Sequence, residues 1–222
     1  AERYHRRDET LHRVRLTRQF WIGRYEVSQQ QYRRIMRRNP SRVQGDNLPV
    51  NAVSWEDAMK FCALLTRRQR RLGSLPRGYV FRLPTEAEWE YCCRAGSPSQ
   101  FSSGDDPEAL GNYANWSGTR KGRPTVVGSY KPNAWGLYDM HGNVWEWCYD
   151  HYGLYDRLPA ADPVAATLRH RRHGVIRGGS YRVSWPRCRA AWRYPYSPQG
   201  RSPSLGFRVV LAPPVNDGRA RR

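Results

Sequence analysis

Three helix starts are written into the first half of this chain. Ser28 is followed three positions on by Gln31, Ser54 by Asp57 and Thr85 by Glu88. At this spacing the first hydroxyl accepts from the backbone N–H three residues ahead, and the longer side chain reaches back to the first residue's own amide. Two donors that a helix start leaves orphaned are thereby satisfied together. The first helix runs through Tyr32, Ile35 and Met36, and Asn39-Pro40 closes it. The second sets Ala58, Phe61, Cys62 and Leu65 on one face and continues through an arginine cluster to Gly73. The third covers residues 86–94, with Gly96 expected as its left-handed stop.

Elsewhere the signals are short. Residues 11–27 alternate and are aromatic, so Val14, Leu16, Phe20, Ile22 and Tyr25 are expected on a strand. From 95 to 132 the chain is dense in Gly, Pro, Ser, Asn and Asp. An irregular stretch of that length needs plugs to hold it, and Tyr113, Trp116 and Trp135 are available. A second irregular region, 150–173, ends in Arg169-His-Arg-Arg-His173. With 222 residues one domain is expected over 11–212, preceded by a basic lead-in (1–10) and followed by a basic tail (213–222). Nine Trp and fourteen Tyr compensate a modest hydrophobic fraction of 39%, so the core should be aromatic-rich. No apolar run is long enough for a membrane span.

Charge narrows the function classes less than it promises. Lysine occurs only at 60, 121 and 131, so 35 of the 38 basic residues are arginine, against 19 acidic ones. A net charge of +19 would suit nucleic acid, which stays as an alternative partner. The arginines are nevertheless spread over the whole chain, as a GC-rich genome writes them, and no helix-turn-helix, zinc-finger or RNA-recognition pattern accompanies them. The five cysteines at 62, 92, 93, 148 and 188 form no Cys-x-x-Cys. They read as free buried thiols in a reducing compartment, which points to the cytoplasm.

The stretch 176–211 carries the functional expectation. Its ends, Val175-Ile176 and Val209-Val210-Leu211, look ordered, and Gly178-Gly179 permits a bend forbidden to other residues. Between them neither a helical period nor strand alternation is visible, so a displayed surface is expected. Tyr181, Trp185, Trp192, Tyr194 and Tyr196 offer rigid contact area, and Arg182, Arg187, Arg201, Ser184, Ser197, Ser202 and Ser204 offer adaptable polar contacts, with Val183 among them. The competing reading puts Trp192 and Tyr194 in the core, makes Arg189 and Arg193 structural partners of carboxylates, and buries Val183 and Cys188.

Four motifs in order resemble the formylglycine-generating enzyme (sulfatase-modifying factor) family: Phe81-Arg-Leu-Pro-Thr-Glu-Ala-Glu-Trp-Glu-Tyr91, Trp135-Gly-Leu-Tyr-Asp-Met-His-Gly-Asn-Val-Trp-Glu-Trp147, Arg177-Gly-Gly-Ser-Tyr181 and Leu205-Gly-Phe-Arg208. Trp21-Ile-Gly-Arg-Tyr-Glu-Val27 and Pro49-Val-Asn-Ala-Val-Ser-Trp55 extend the match to nearly all of 11–212. The resemblance implies an α+β, C-type lectin-like fold with a small twisted antiparallel sheet, two to three helices and much irregular chain. It also implies a structural calcium held by the side chains of Asp139 and Glu146 and the carbonyls of Gly142 and Val144, although Glu146 could instead pair with an arginine. A second family calcium site beginning at Asn115 and Trp116 lacks its acidic residue, since 117–127 contains no carboxylate. Family oxidases bind copper(I) with two cysteines shortly after the Gly-Gly-Ser. Here Tyr181-Arg-Val-Ser-Trp-Pro-Arg187 has none and Cys188 stands alone, so no copper is expected.

A rewritten segment on this scaffold also resembles the variable proteins of diversity-generating retroelements, in which adenine-directed mutagenesis scatters Asn codons into other residues. Arg182, Val183, Ser184, Arg187, Tyr194, Pro195, Tyr196, Ser197, Gly200, Ser202, Pro203 and Ser204 can all be reached from AAC by changing adenines alone, whereas Trp192 cannot. The expectation is a non-catalytic recognition domain for a protein or peptide. The alternatives are an oxidase or related metal-dependent oxygenase acting on a thiol, and a basic nucleic-acid-docking protein. Oligomeric state is left open.

Overall fold

All three capping boxes form in the computed structural model, which describes residues 7–155, 158–165 and 173–215. They open α1 (Gln29–Met36), α2 (Trp55–Arg71) and α3 (Glu86–Arg94). The stops differ from expectation. Arg37 ends α1 in the left-handed region, ahead of Asn39-Pro40, and Ala95 takes the left-handed position after α3, with Gly96 following it at positive φ. In both cases the cap amide donates to a carbonyl four residues back, which repays a non-glycine residue for the strained φ.

Among the described residues, seven strands make two sheets. β1 (Trp21–Ile22), β2 (Val80–Arg82) and β7 (Val210–Ala212) form the first, with β7 central and antiparallel to both neighbours. The second runs β5-β4-β3-β6, from β3 (Trp145–His151), β4 (Gly174–Arg177), β5 (Arg193–Tyr196) and β6 (Leu205–Gly206). β3 pairs antiparallel with β4 and parallel with β6.

Both faces of β3 are covered, so its alternation is hidden. Trp145 and Trp147 point into a core shared with Tyr32, Phe61, Ile176 and Phe207, where Tyr32 stacks on Phe61 at 5.6 Å. On the opposite face Cys148 and Val175 pack against Trp89, Cys92 and Cys93 of α3. Glu146 shares that face and is fully buried, because Arg208 reaches it from the chain leading into β7. A third, smaller cluster of Phe101, Leu110, Ala114 and Cys188 holds the irregular middle of the chain.

Two local expectations need correction. Within 11–27 only Trp21–Ile22 is a strand, and Arg15 makes an isolated bridge to Ala161. Among the described residues no continuous strand partner lies beside residues 11–18, so the alternation there meets only that single bridge. The plugs of the irregular region are also different. Phe101 and Leu110 are fully buried, whereas Trp116 and Tyr113 are half-buried and Trp135 lies 46% exposed against Tyr91. Three-ten turns at Ala109–Asn112 and Ser117–Thr119 are the regular structure found there. The basic run 169–172 and the tail beyond 215 lie outside the described residues.

Candidate functional site

The C-terminal segment is mounted at many points. Gly178 and Gly179 turn the chain out of β4 at φ of 92° and 77°, and a Cβ on Gly179 would stand 2.5 Å from Cys188 Sγ, so only glycine fits. A three-ten turn, Trp185–Cys188, follows. Next comes β5, an edge strand that the sequence reading did not anticipate, because Pro195 interrupts the pattern. An edge position tolerates the missing N–H. Residues 197–204 then fold against the start of α2, with Trp55 N donating to Pro198 O (2.9 Å), Ala52 N to Ser202 O (2.8 Å) and Arg201 Nη1 to Ala52 O (3.1 Å). Arg201 also pairs with Asp57, which caps α2.

On this frame the expected contact residues divide. Arg182, Ser184, Arg187, Tyr194, Ser197 and Arg201 are exposed, with Tyr194 at 39% lying over Trp145. Val183, Trp185, Trp192, Tyr196 and Ser202 are half-buried. Tyr181 and Ser204 are buried, so they carry the surface rather than form it. Tyr181 supports Arg182, whose guanidinium lies 5.3 Å over the ring while its Nε donates to the hydroxyl at 3.0 Å. Val183 and Trp185 rest on the third cluster together with Trp116. Ser117 N donates to Val183 O at 3.1 Å, so the turn carrying Arg120, Lys121 and Arg123 adjoins the segment. Sequence reasoning did not include that turn, since nothing local links 117 to 183.

The arginines that do not face solvent have carboxylate partners. Arg193 binds Glu86 through Nε and Nη2 (2.9 and 2.6 Å) and stacks 4.0 Å from the Tyr155 ring. Arg189 binds Glu9, and Arg177 pairs with Glu90 and Glu86. Arg208 grips both oxygens of Glu146, Nε to Oε2 at 2.7 Å and Nη2 to Oε1 at 2.6 Å.

The expected calcium ligands sit beside that last pair. Glu146 Oε2 also accepts from Trp89 Nε1 at 2.7 Å, which realises the arginine-paired alternative for Glu146. Asp139, at φ 60°, uses Oδ2 to accept from Gly128 N (2.7 Å), while its buried Oδ1 has no hydrogen-bond partner among the described residues. Glu26, whose carboxylate accepts from Asn143 Nδ2 and Val144 N, is the third acid of the group, and the sequence reading had not placed it there. Burial raises both carboxyls, Asp139 to about 6 and Glu26 well above the usual range, the latter further raised by Asp139 and Glu146. The charge that three carboxyls would place against one guanidinium is relieved either by protons, as the raised pKa values of Glu26 and Asp139 show, or by a hard cation, for which the orphan oxygen of Asp139 is suited. Glu146 is the weaker part of the fit, because Oε2 already accepts twice. No three His, Cys, Asp or Glu side chains among the described residues converge in metal-holding geometry, so carbonyls would have to complete the shell.

The segment's thiol chemistry is simple. Cys188 is fully buried, and burial pushes its pKa up to about 12, so it is a neutral thiol against the third cluster. His141 fixes the segment from below, bonding to Cys188 O through Nδ1 (2.8 Å) and facing Ser102 with Nε2. Burial lowers its pKa to about 4, which keeps it neutral. A larger cavity of about 1520 Å³ lies elsewhere, between residues 9–22 and the outer side of α3, and touches the segment only at Ala191.

The model of the sulfatase-modifying factor enzyme 1-like domain matches residues 2–213. The chain belongs to that family. This sulfatase-modifying-factor-like chain is 34% identical to the formylglycine-generating enzyme of Streptomyces coelicolor over 78% of its own length, but spans only 56% of that enzyme. It is 28% identical to the chaperone protein LppX of Paenibacillus barcinonensis, covering 86% of this chain and 79% of the relative. Among solved structures, PvdO from Pseudomonas aeruginosa superposes with a TM-score of 0.82 at 29% identity, over 95% of this chain and 87% of that one. Treponema denticola variable protein 1 gives 0.79 at 29%, over 90% and 86%. The fold is the α+β, C-type lectin-like fold of the formylglycine-generating type, as the motifs implied. Among the described residues no helix is long and apolar enough to cross a membrane.

Proposed function

We propose that this domain is a non-catalytic recognition module whose binding surface is the exposed part of 181–204. The observation that carries the reading is the division of that segment. The side chains that hold it (Tyr181, Cys188, Arg189, Arg193) are buried and partnered, while Arg182, Ser184, Arg187, Tyr194 and Ser197 face outward from a rigid base. Positions free to vary on a fixed frame are what a binding surface needs. Similarity to a variable protein over 90% of the chain supports the same reading.

A single thiol, buried and protonated, supplies neither of the two thiolates that a linear copper(I) site requires, which weighs against the oxidase alternative. The ligand class is a protein or peptide, since flat area broken by arginines and aromatics suits one better than a small molecule. Asp139, Glu146 and the carbonyls of Gly142 and Val144 would hold a structural calcium, which would neutralise the buried carboxylates and stiffen the loop entering β3. No step of recognition passes through it.

Two measurements test the proposal. Copper-supplied protein incubated with a cysteine-containing peptide in oxygen should yield no aldehyde; aldehyde formation would sink the reading. A partner recovered by the parent domain should be lost on Arg187→Ala with Tyr194→Ala, at unchanged thermal stability. Undiminished binding by that variant would move recognition to another face. A near-copy of the codons for 176–211 beside a reverse transcriptase, differing only at adenines, would add that the surface is diversified.

A further inference from the structure

The outward charge of this face is one-sided. No Asp or Glu occurs in 163–216, nor in 109–138. These two acid-free stretches are the ones the fold brings together, through Ser117 N to Val183 O and through the shared packing of Trp116, Val183 and Trp185 on the third cluster. Arg182 and Arg187 come from one stretch and Arg120, Lys121 and Arg123 from the other; all five are exposed. Among the described residues none of the five makes an ion pair. Glu108 shares a hollow of about 640 Å³ with Lys121 and Trp116. It is the one carboxylate lining that hollow.

The carboxylates that could have neutralised these cations lie inside. Glu26, Glu86, Glu88, Asp139, Glu146 and Asp150 are buried, most of them spent on buried arginines or backbone amides. Those six acids stabilise the interior; Asp46, Glu56, Asp105, Asp106 and Glu108 are exposed, yet none of them pairs with the five cations among the described residues.

We propose that the ligand of this face is an acidic protein segment carrying apolar side chains, held by the 181–187 turn and the 117–123 turn together. The inference rests on the recognition reading above and adds the partner's chemistry to it. Arg182 is prepared for such a ligand. Its Nε is bound to Tyr181 and its plane lies over that ring, so the two Nη groups are presented at low entropic cost to a carboxylate, which they can grip bidentately. Between the two groups of cations lie Trp116, Val183 and Trp185, all half-buried, which offer apolar area to an aliphatic or aromatic residue between two acids. Nucleic acid would call for a row of cations following its phosphates. Here Arg182 and Arg187 are separated by Val183-Ser-Trp-Pro186, and Arg120, Lys121 and Arg123 sit on a second turn, whereas the densest arginine cluster, four arginines in residues 67–71, is on α2.

The test is selection of random peptides displayed on phage against the full chain, followed by affinities of the enriched peptides for variants. The enriched peptides should be net acidic and contain apolar residues. Their affinity should fall about tenfold or more in R182Q/R187Q and likewise in R120Q/K121Q/R123Q, and change less than about twofold in R67Q/R68Q/R71Q on α2. Neutral or basic peptides whose binding is lost in R187A/Y194A would overturn the acidic class and leave the recognition reading standing. Acidic peptides weakened equally by the α2 variant would overturn it too, by making the attraction diffuse. Tighter binding of single-stranded DNA at the same face would replace the protein ligand. Peptides indifferent to every variant of the face, or no enrichment at all, would remove both readings.

Discussion

Arg189 Nη2 donates to both oxygens of Glu9, at 2.9 and 3.1 Å, with neither side chain exposed to solvent. The pair joins the N-terminal segment to the middle of the proposed binding segment, 180 residues apart. Arg189 also donates to Pro186 O and lies over Trp192, so the turn that displays Arg187 is held in part by a residue of the chain's opening. Removing one partner of a buried ion pair costs about 3–5 kcal/mol. Glu9→Gln should therefore lower the urea midpoint strongly. Glu9→Leu with Arg189→Met should recover much of the loss, because both buried charges are removed together. If Glu9→Gln unfolds with the parent, the pair is not formed in solution.

Asp150 gives a pH dependence with a definite sign. Its two oxygens accept from Glu86 N and Ala165 N (2.7 and 2.9 Å), and burial, then the charge of Glu86, raises its pKa to about 7. The folded state therefore holds this proton more tightly than the unfolded chain, where an Asp titrates near about 4. Between those values the folded state binds more protons, so stability falls as pH rises from about 4 to about 7, at up to about 1.4 kcal/mol per pH unit, and is level above. Asp150→Asn keeps one acceptor for two amides and should be less stable near pH 5, yet lose less between pH 5 and 8. Equal losses in parent and variant, by urea denaturation at the two pH values, would show that Asp150 is not the group responsible.

All five cysteines are free and buried, and burial raises the pKa of each, Cys92 and Cys188 to about 12. A thiol reagent needs thiolate and access. Ellman's reagent should find essentially no reactive thiol in the folded protein and all five after denaturation. Fast labelling of Cys188 in the native state would reopen thiol chemistry on this segment.

Calcium should raise the melting temperature of chelator-treated protein if Asp139 and Glu146 hold it. Magnesium should not replace it, since a strict octahedron at short distances does not suit mixed carboxylates and carbonyls on a bent loop. Asp139→Asn should abolish the response. A melting temperature indifferent to calcium and chelator would mean that Arg208 and Trp89 satisfy Glu146 alone.

Much of this molecule was legible in its residues. The capping boxes determined where α1, α2 and α3 begin, because the bonds that start a helix are local, between residues three apart. The motifs determined the family and hence the fold class, and the missing cysteine pair was visible by inspection. The tertiary structure decided which face of each residue matters. Tyr181 and Tyr194 looked alike as contact residues, yet one is buried and the other exposed, since Tyr181 folds under Pro203 while Tyr194 stands over Trp145 at the sheet edge. β5 appeared only once β4 was there to pair with, and Glu26 joined Asp139 and Glu146 from more than a hundred residues away. The meeting of 117 with 183 belongs to the same class. Such contacts depend on how distant segments close around a shared core, and no local pattern records the loop closures that bring them together.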